Sequence, residues 1–106
     1  MREFDAQQLE QHLNSSDSAP LLLDVRQDWE YDICHLAGSL LMPMAQVPAL
    51  MTELDKSRET VVICHHGIRS RMIGAYLEQA GFDNIINLQG GLDAWAKIID
   101  NTMSTY

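Results

Sequence analysis

One stretch decides the fold of this chain, and it runs Thr60-Val61-Val62-Ile63-Cys64-His65-His66-Gly67-Ile68-Arg69-Ser70. The first four residues are β-branched, which predicts a buried strand. A cysteine ends that strand, a short turn with a glycine follows, and the next segment has helical spacing. In such a turn the backbone N–H groups point inward and the helix dipole adds partial positive charge. The stretch therefore predicts an anion cradle between a strand and a helix.

The cradle makes Cys64 the candidate nucleophile of the chain. The field that holds an anion also favours a thiolate over a thiol. A free cysteine is only about 3% thiolate at pH 7, so a reactive cysteine needs such surroundings. A lone cysteine at the end of a core strand is more often an inert packing residue. The spacing of Gly67 and Arg69, with the helix pattern after them, favours the reactive interpretation.

Length and composition indicate one globular domain. The chain has 106 residues, of which 46% are hydrophobic and 21% charged, and both fractions are ordinary for a globular protein. We place the domain at residues 1–100 and expect the C-terminal tail, residues 101–106, to fray. No apolar run is long enough to span a bilayer, and the first residues lack an apolar signal-peptide core. A cytoplasmic protein without membrane contacts is the expectation.

The charge balance argues against a nucleic-acid partner. The formal net charge is −8, so an anionic substrate has to be attracted locally. Four residues near the cradle could form a positive mouth, or could belong to a solvated helix start, and both interpretations stay open: His65, His66, Arg69 and Arg71.

Cysteine usage indicates neither a disulfide framework nor a metal site. The chain has two cysteines, Cys34 and Cys64, and no CxxC motif. Cys64, His65 and His66 are consecutive, and neighbouring side chains on a turn rarely converge on one metal ion. We therefore expect no metal and no cofactor.

Short apolar runs alternate with segments of helical period along the chain. Strands are predicted at Leu21–Val25, Gly38–Met42, Thr60–Ile63 and Asn84–Leu88, with a polar loop at 14–18. Helices are predicted at 6–13 after an Asp5–Gln8 capping box, at 28–35 with Asp28 as cap, at 47–54, at 72–80 closed by Gly81, and at 92–99. This alternation predicts a doubly wound parallel α/β sheet with its site at the carboxyl ends of the strands. Loops after Leu23, Ile63 and Leu88 then meet at one rim.

Four motifs in order along nearly the whole chain resemble the rhodanese family. The first is Leu23-Asp24-Val25-Arg26 followed by Trp29-Glu30-Tyr31, and the second is His35-Leu36-Ala37-Gly38-Ser39. The third is the loop Cys64 to Ser70, and the fourth is Gly90-Gly91-Leu92-Asp93-Ala94-Trp95. The resemblance implies a doubly wound, mostly parallel five-stranded sheet with helices on both faces.

The resemblance also implies a thiosulfate sulfurtransferase. In this family the loop cysteine takes a sulfane sulfur, as from thiosulfate, becomes a persulfide, and passes the sulfur to cyanide or a thiol. Cys64 matches that nucleophile, and the substrate-binding loop matches His65, His66, Gly67, Ile68, Arg69 and Ser70. Such chemistry needs an exposed thiolate and no general base. His65 and His66 are adjacent to Cys64 in sequence, which does not establish a catalytic role for either of them, and the question stays open.

Other matched positions look structural. Asp24, Arg26, Glu30 and His35 are expected to tie the site loops together. Cys34 occupies a position where the family commonly has a small residue, and we expect it to be a buried packing residue rather than a resolving thiol.

Three alternative functions stay open. The alternative enzyme class is a phosphatase or arsenate reductase. Cell-cycle dual-specificity phosphatases share the fold and use a loop cysteine, but their loop has five residues between Cys and Arg, whereas four separate Cys64 from Arg69. The smaller ring should suit one sulfur atom better than a tetrahedral oxyanion. A protein sulfur carrier, loaded by a protein donor for thiolation, would use the same persulfide. A non-catalytic interaction module is known for members that lack the cysteine.

Overall fold

Five parallel strands form one sheet in the computed structural model, which describes residues 1–15 and 17–106. They are β1 (Arg2–Phe4), β2 (Leu21–Asp24), β3 (Leu40–Leu41), β4 (Thr60–Ile63) and β5 (Ile85–Leu88), and their order across the sheet is β1-β5-β4-β2-β3. Strand β4 is third of the five in that order, and all four of its side chains are buried. The predicted parallel α/β sheet is confirmed, and every strand pair is parallel.

Helices follow the strands in the predicted order. They are α1 (Ala6–Ser15), α2 (Asp28–Ile33), α3 (Val47–Leu50), α4 (Ile68–Gln79) and α5 (Gly91–Ile98). The helix predicted at 47–54 is a short α segment between two 3₁₀ turns, Met44–Gln46 and Met51–Glu53. Residue 16 of the predicted polar loop 14–18 lies outside the described residues, and α1 extends into that loop as far as Ser15.

The sheet separates two apolar layers. Side chains alternate between the faces of a strand, so Val61 and Ile63 pack with α1 and α5 while Val62 packs with α3 and α4. Cys64 belongs to the second layer, beside Ile73 of α4. Helices therefore cover both faces, and the thiol lies on the α4 side.

The predicted caps are confirmed at α1 and wrong at α2. Asp5 Oδ1 accepts from the Gln8 N–H at 2.8 Å and the Asp5 N–H donates to Gln8 Oε1 at 2.9 Å, which is the capping box. At α2 the cap is Gln27 and not Asp28. The Gln27 N–H donates to Glu30 Oε1 at 3.0 Å, because Glu30 reaches back over the first turn.

Strand β1 has no counterpart among the predicted strands. It is three residues long and mostly exposed, so its sequence lacks an apolar pattern. Backbone pairing with β5 places this strand in the sheet. Residues 2–4 lie beside residues 86–88 of β5 in parallel register. Among the helices of the described residues, none is long and apolar enough to cross a membrane.

Candidate active site

Cys64 directly follows the central strand, and its sulfur lies inside the turn that leads to α4. Sγ accepts from the Gly67 N–H at 3.1 Å and from the Ser70 N–H at 3.3 Å. Gly67 has a φ of +94°, a conformation that favours glycine, and it is the residue before α4. These two N–H groups form the predicted cradle around the sulfur. We call residues 64–70 the site loop.

The thiol is buried, which corrects the expectation of an exposed one. Cys64 is 1% exposed. Its sulfur faces the inside of the site loop, where the two N–H groups and the Ser70 hydroxyl surround it. A sulfur donor therefore has to reach the thiol through the loop.

The start of α5 holds the site loop from behind. The Leu92 N–H donates to the Cys64 carbonyl and the Asp93 N–H to the His65 carbonyl, each at 3.0 Å. Gly91 makes this approach possible, because a Cβ there would overlap both carbonyl oxygens. The two carbonyls are thus turned toward α5. The predicted meeting of the β4 and β5 loops at one rim is confirmed.

The Ser70 hydroxyl links the sulfur to a residue that the motifs did not single out. Sγ lies 3.3 Å from Ser70 Oγ, and Ser70 Oγ donates to Asn87 Oδ1 in a short hydrogen bond. Asn87 belongs to β5 and is fully buried. A polar residue inside an apolar strand was the signal in the sequence that could have identified it.

A buried ion pair anchors the loop after β2. The Asp24 carboxylate accepts from Arg26 Nη2 at 2.7 Å and from Nε at 2.9 Å. Nη1 and Nη2 of Arg26 also donate to the carbonyls of Glu30 and Cys34. Burial opposes the charge of Arg26, but the hydrogen bonds with Asp24 and Tyr106 outweigh it and raise its pKa. The structural role expected for Asp24 and Arg26 is confirmed.

Glu30 connects α2 to the site loop. Its two carboxylate oxygens accept from Arg69 Nη1 at 2.7 Å and from Nη2 at 2.8 Å. The hydrogen bonds from Arg69 outweigh burial and lower the pKa of Glu30 to about 2. Arg71 is likewise paired, with Glu3 at 3.1 Å. A carboxylate therefore neutralises each guanidinium, which favours the solvated helix start over a positive mouth at both arginines.

The C-terminal tail packs onto the site, so the expected fraying of residues 101–106 is wrong at its last residue. The Tyr106 hydroxyl donates to Glu30 Oε2 at 2.7 Å and accepts from Arg26 Nη1 at 2.9 Å. Its ring contacts the ring of His65 edge-on, with 4.1 Å between centroids. Burial is the main reason that the pKa of Tyr106 rises to about 12, and Glu30 raises it as well. The hydrogen bond from Arg26 acts in the opposite direction.

Comparisons with known proteins identify the family. A model described as a rhodanese-like domain matches residues 5–98. The chain belongs to the rhodanese family. A sulfurtransferase from Allochromatium vinosum is 36% identical over 97 residues, which are 92% of this chain and 90% of that protein. The family and this relative support sulfur transfer as the general activity.

A second relative is a longer protein of which this chain matches a part. It is the probable adenylyltransferase/sulfurtransferase MoeZ of Mycobacterium tuberculosis, 37% identical over 87 residues. The match covers 80% of this chain and 22% of that protein.

Solved structures agree with the rhodanese fold. The rhodanese-like domain protein from Staphylococcus aureus superposes with a TM-score of 0.83 at 28% identity, over 90% of this chain and 91% of that one. The rhodanese-related protein from Thermoplasma volcanium superposes with a TM-score of 0.82 at 29% identity, over 92% of each chain.

The two loop histidines lie near Asp93 of α5. One ligand atom each from His65, His66 and Asp93 lies within 4.8 Å of the others, so these neighbours converge more than we expected. His66 is exposed, and Asp93 also pairs with Lys97 at 2.9 Å. Burial lowers the pKa of His65, and the nearby charge of His66 lowers it further. No contact in the described part of the chain directs either ring at Cys64 Sγ.

Cys34 and His35 lie away from the thiol. Cys34 is half-buried, and its sulfur lies 3.9 Å from Arg26 Nη1. The ring of His35 stacks on Tyr31 with 3.9 Å between centroids, and its Nδ1 lies 2.8 Å from the Tyr31 carbonyl. A small cavity lies beside Cys34 and His65, and Cys64 does not line it. That cavity is therefore not the thiol pocket.

Proposed function

We propose that this protein is a sulfurtransferase that carries a sulfane sulfur as a persulfide on Cys64. The observation that supports it is the sulfur of Cys64 held by the N–H groups of Gly67 and Ser70. Donors aimed at a sulfur favour its anionic form and need no rearrangement during transfer. Membership of the rhodanese family supports the same chemistry.

The proposed cycle has two nucleophilic displacements. The Cys64 thiolate attacks the outer sulfur of thiosulfate, a Cys64 S–S bond forms, and sulfite leaves with the electron pair of the broken S–S bond. Cyanide or a thiolate then attacks the terminal sulfur of the persulfide. The Cys64 thiolate leaves, and the products are thiocyanate or a new persulfide. No net oxidant, metal or cofactor enters either step.

Within this cycle the site loop binds the transferred sulfur. We assign this role to the backbone of His65, His66, Gly67, Ile68, Arg69 and Ser70, with Cys64 as the nucleophile. The Arg69 side chain positions the loop through Glu30, because its guanidinium is already paired. The proposal needs no general base, so His65 and His66 hold no proton-transfer role in it.

A protein sulfur carrier is the second candidate function. The observation that favours it is the matching region inside a relative named adenylyltransferase/sulfurtransferase. A carrier uses the same Cys64 persulfide but takes the sulfur from a protein donor and delivers it to a protein acceptor. It should turn over thiosulfate poorly and load rapidly from a protein persulfide, and the ratio of the two rates distinguishes the candidates. A cytoplasmic location is part of both proposals.

Phosphoester hydrolysis and a non-catalytic role are disfavoured. Four residues separate Cys64 from Arg69, and the Arg69 guanidinium is bound to Glu30 rather than free to hold an oxyanion. We expect no Cys64-dependent hydrolysis of a phosphoester reporter, and efficient hydrolysis would contradict the sulfur-transfer proposal. An interaction module without catalysis would not need the sulfur cradle.

Intact-protein mass spectrometry tests the proposed cycle. Wild type incubated with thiosulfate should gain one sulfur atom, and cyanide should remove it. Cys64→Ser should gain none, whereas Cys34→Ser is the matched control and should behave as wild type. A gain that persists in Cys64→Ser would contradict the assignment. No gain with thiosulfate, followed by loading from a protein persulfide, would support the carrier.

A further inference from the structure

Asn87 contacts the same two residues whose N–H groups hold the Cys64 sulfur. Its Nδ2 donates to the Gly67 carbonyl at 3.3 Å, and its Oδ1 accepts from the Ser70 hydroxyl. Gly67 and Ser70 are the two N–H donors to Sγ. The Asn87 side chain, on the strand next to β4, therefore connects the two residues whose N–H groups hold the sulfur.

The orientation of the Asn87 amide is fixed from outside the site. Asn87 Nδ2 donates to Glu3 Oε1 at 2.8 Å. Burial opposes the ionised form of Glu3, but its hydrogen bonds with Arg71 and Asn87 outweigh burial and lower its pKa. An ionised carboxylate only accepts hydrogen bonds, so the NH₂ group of Asn87 has to face Glu3. The amide oxygen then faces Ser70.

This orientation determines what Cys64 meets on the Ser70 side. The amide oxygen of Asn87 has no proton, so the Ser70 hydroxyl donates to it. The lone pairs of Ser70 Oγ are left for the Cys64 thiol, 3.3 Å away. The thiol proton thus has a defined acceptor, while the two N–H groups remain available to negative charge on sulfur.

The chemistry of β5 makes this arrangement specific. Asn87 is fully buried in a strand whose other residues are apolar, at Ile85, Ile86 and Leu88. A buried amide destabilises a strand unless its polar atoms are hydrogen-bonded. Within residues 1–15 and 17–106, the side-chain hydrogen bonds of Asn87 go to Gly67, Ser70 and Glu3. A hydrophobic residue at position 87 would pack equally well in the sheet but would make no hydrogen bond to Gly67 or Ser70.

We propose that Asn87 is a positioning residue that sets the spacing of the Gly67 and Ser70 N–H groups around the Cys64 sulfur, with Glu3 fixing its amide. The positioning follows from the resting geometry alone. Only the persulfide part of its test rests on the proposed function.

Amide hydrogen exchange under native conditions tests the positioning. Asn87→Leu removes three hydrogen bonds, and Asn87→Asp keeps the size while losing the donor to the Gly67 carbonyl and to Glu3. In both variants the N–H groups of Gly67 and Ser70 should exchange about tenfold faster than in wild type. Ile86→Val is the matched control, because it loses one methylene on the opposite face of the same strand. It should leave these two exchange rates unchanged.

The lifetime of the Cys64 persulfide is the second measurement. Loaded with thiosulfate and followed by mass spectrometry, both Asn87 variants should lose the outer sulfur about tenfold faster than Ile86→Val. Should Asn87→Leu fail to fold, the exposed change Glu3→Ala offers a milder test. It frees the Asn87 amide and should accelerate exchange at Ser70, whereas Arg71→Gln, which leaves Asn87 bonded, should not.

The outcomes separate this inference from the proposed function. If wild type takes up no sulfur but the Asn87 variants exchange faster at Gly67 and Ser70, the proposed function fails and the positioning stands. If the Asn87 variants match Ile86→Val in both exchange and persulfide lifetime, the positioning role is wrong although sulfur transfer stands.

Discussion

Replacing Glu30 by glutamine measures the ion pair that ties α2 to the site loop. The Glu30 carboxylate is 3% exposed and accepts from both terminal nitrogens of Arg69. The hydrogen bonds from Arg69 outweigh burial and lower its pKa from the ordinary 4.5 to about 2. That difference corresponds to about 3 kcal/mol of folding free energy. Arg69 is one-third exposed, so water compensates part of the loss and we expect Glu30→Gln to cost about 2–3 kcal/mol at pH 7.

The same pair predicts a pH dependence with a defined sign. The pKa of Glu30 is lower in the folded state than in the unfolded state, so its contribution is fully present above about pH 4.5 and is lost as the pH falls toward about 2. A glutamine has no such titration. The difference in unfolding free energy between wild type and Glu30→Gln should therefore shrink by about 1.4 kcal/mol between pH 7 and about pH 3.5.

Urea unfolding followed by tryptophan fluorescence measures both quantities, since Trp95 is buried in the core. Glu10→Gln, an exposed change on α1, is the matched control and should shift the unfolding free energy by less than about 0.5 kcal/mol at either pH. A Glu30→Gln effect below that size, or one that is equal at both pH values, would refute the reasoning.

The remaining predictions concern the back of the site loop and the tail. Gly91→Ala should abolish sulfur transfer and lower the melting temperature, because the new Cβ overlaps two loop carbonyls; Gly38→Ala, also at positive φ but in open space, should keep the activity. Tyr106→Phe should lower the unfolding free energy in urea by about 1 kcal/mol, since Arg26 loses a hydrogen-bond partner, whereas Tyr76→Phe, with the same 39% exposure, should be neutral. Equal effects of the two members in either pair would contradict these assignments.

Local patterns in the sequence were sufficient for the sheet and for the nucleophile. Strands β2, β4 and β5 are mostly apolar or β-branched because both of their faces are covered, and such runs are visible without a structure. The site loop is likewise local, since the cysteine, the glycine and the start of α4 lie within seven residues. The N–H donors of Gly67 and Ser70 follow from that short turn.

Long-range pairing decided the rest. Glu3 and Asn87 are 84 residues apart and meet because β1 pairs with β5. Strand β1 is an exposed edge strand that lacks an apolar pattern of its own. Tyr106 contacts Glu30 because the C-terminal tail folds back onto the site. The sequence of the tail has no local pattern that predicts this. The charges of Arg69 and Arg71 looked free in sequence and are neutralised by carboxylates from α2 and β1. A sequence pattern records which face a residue buries, whereas the partner of a polar group depends on which distant segment the fold places within hydrogen-bond distance.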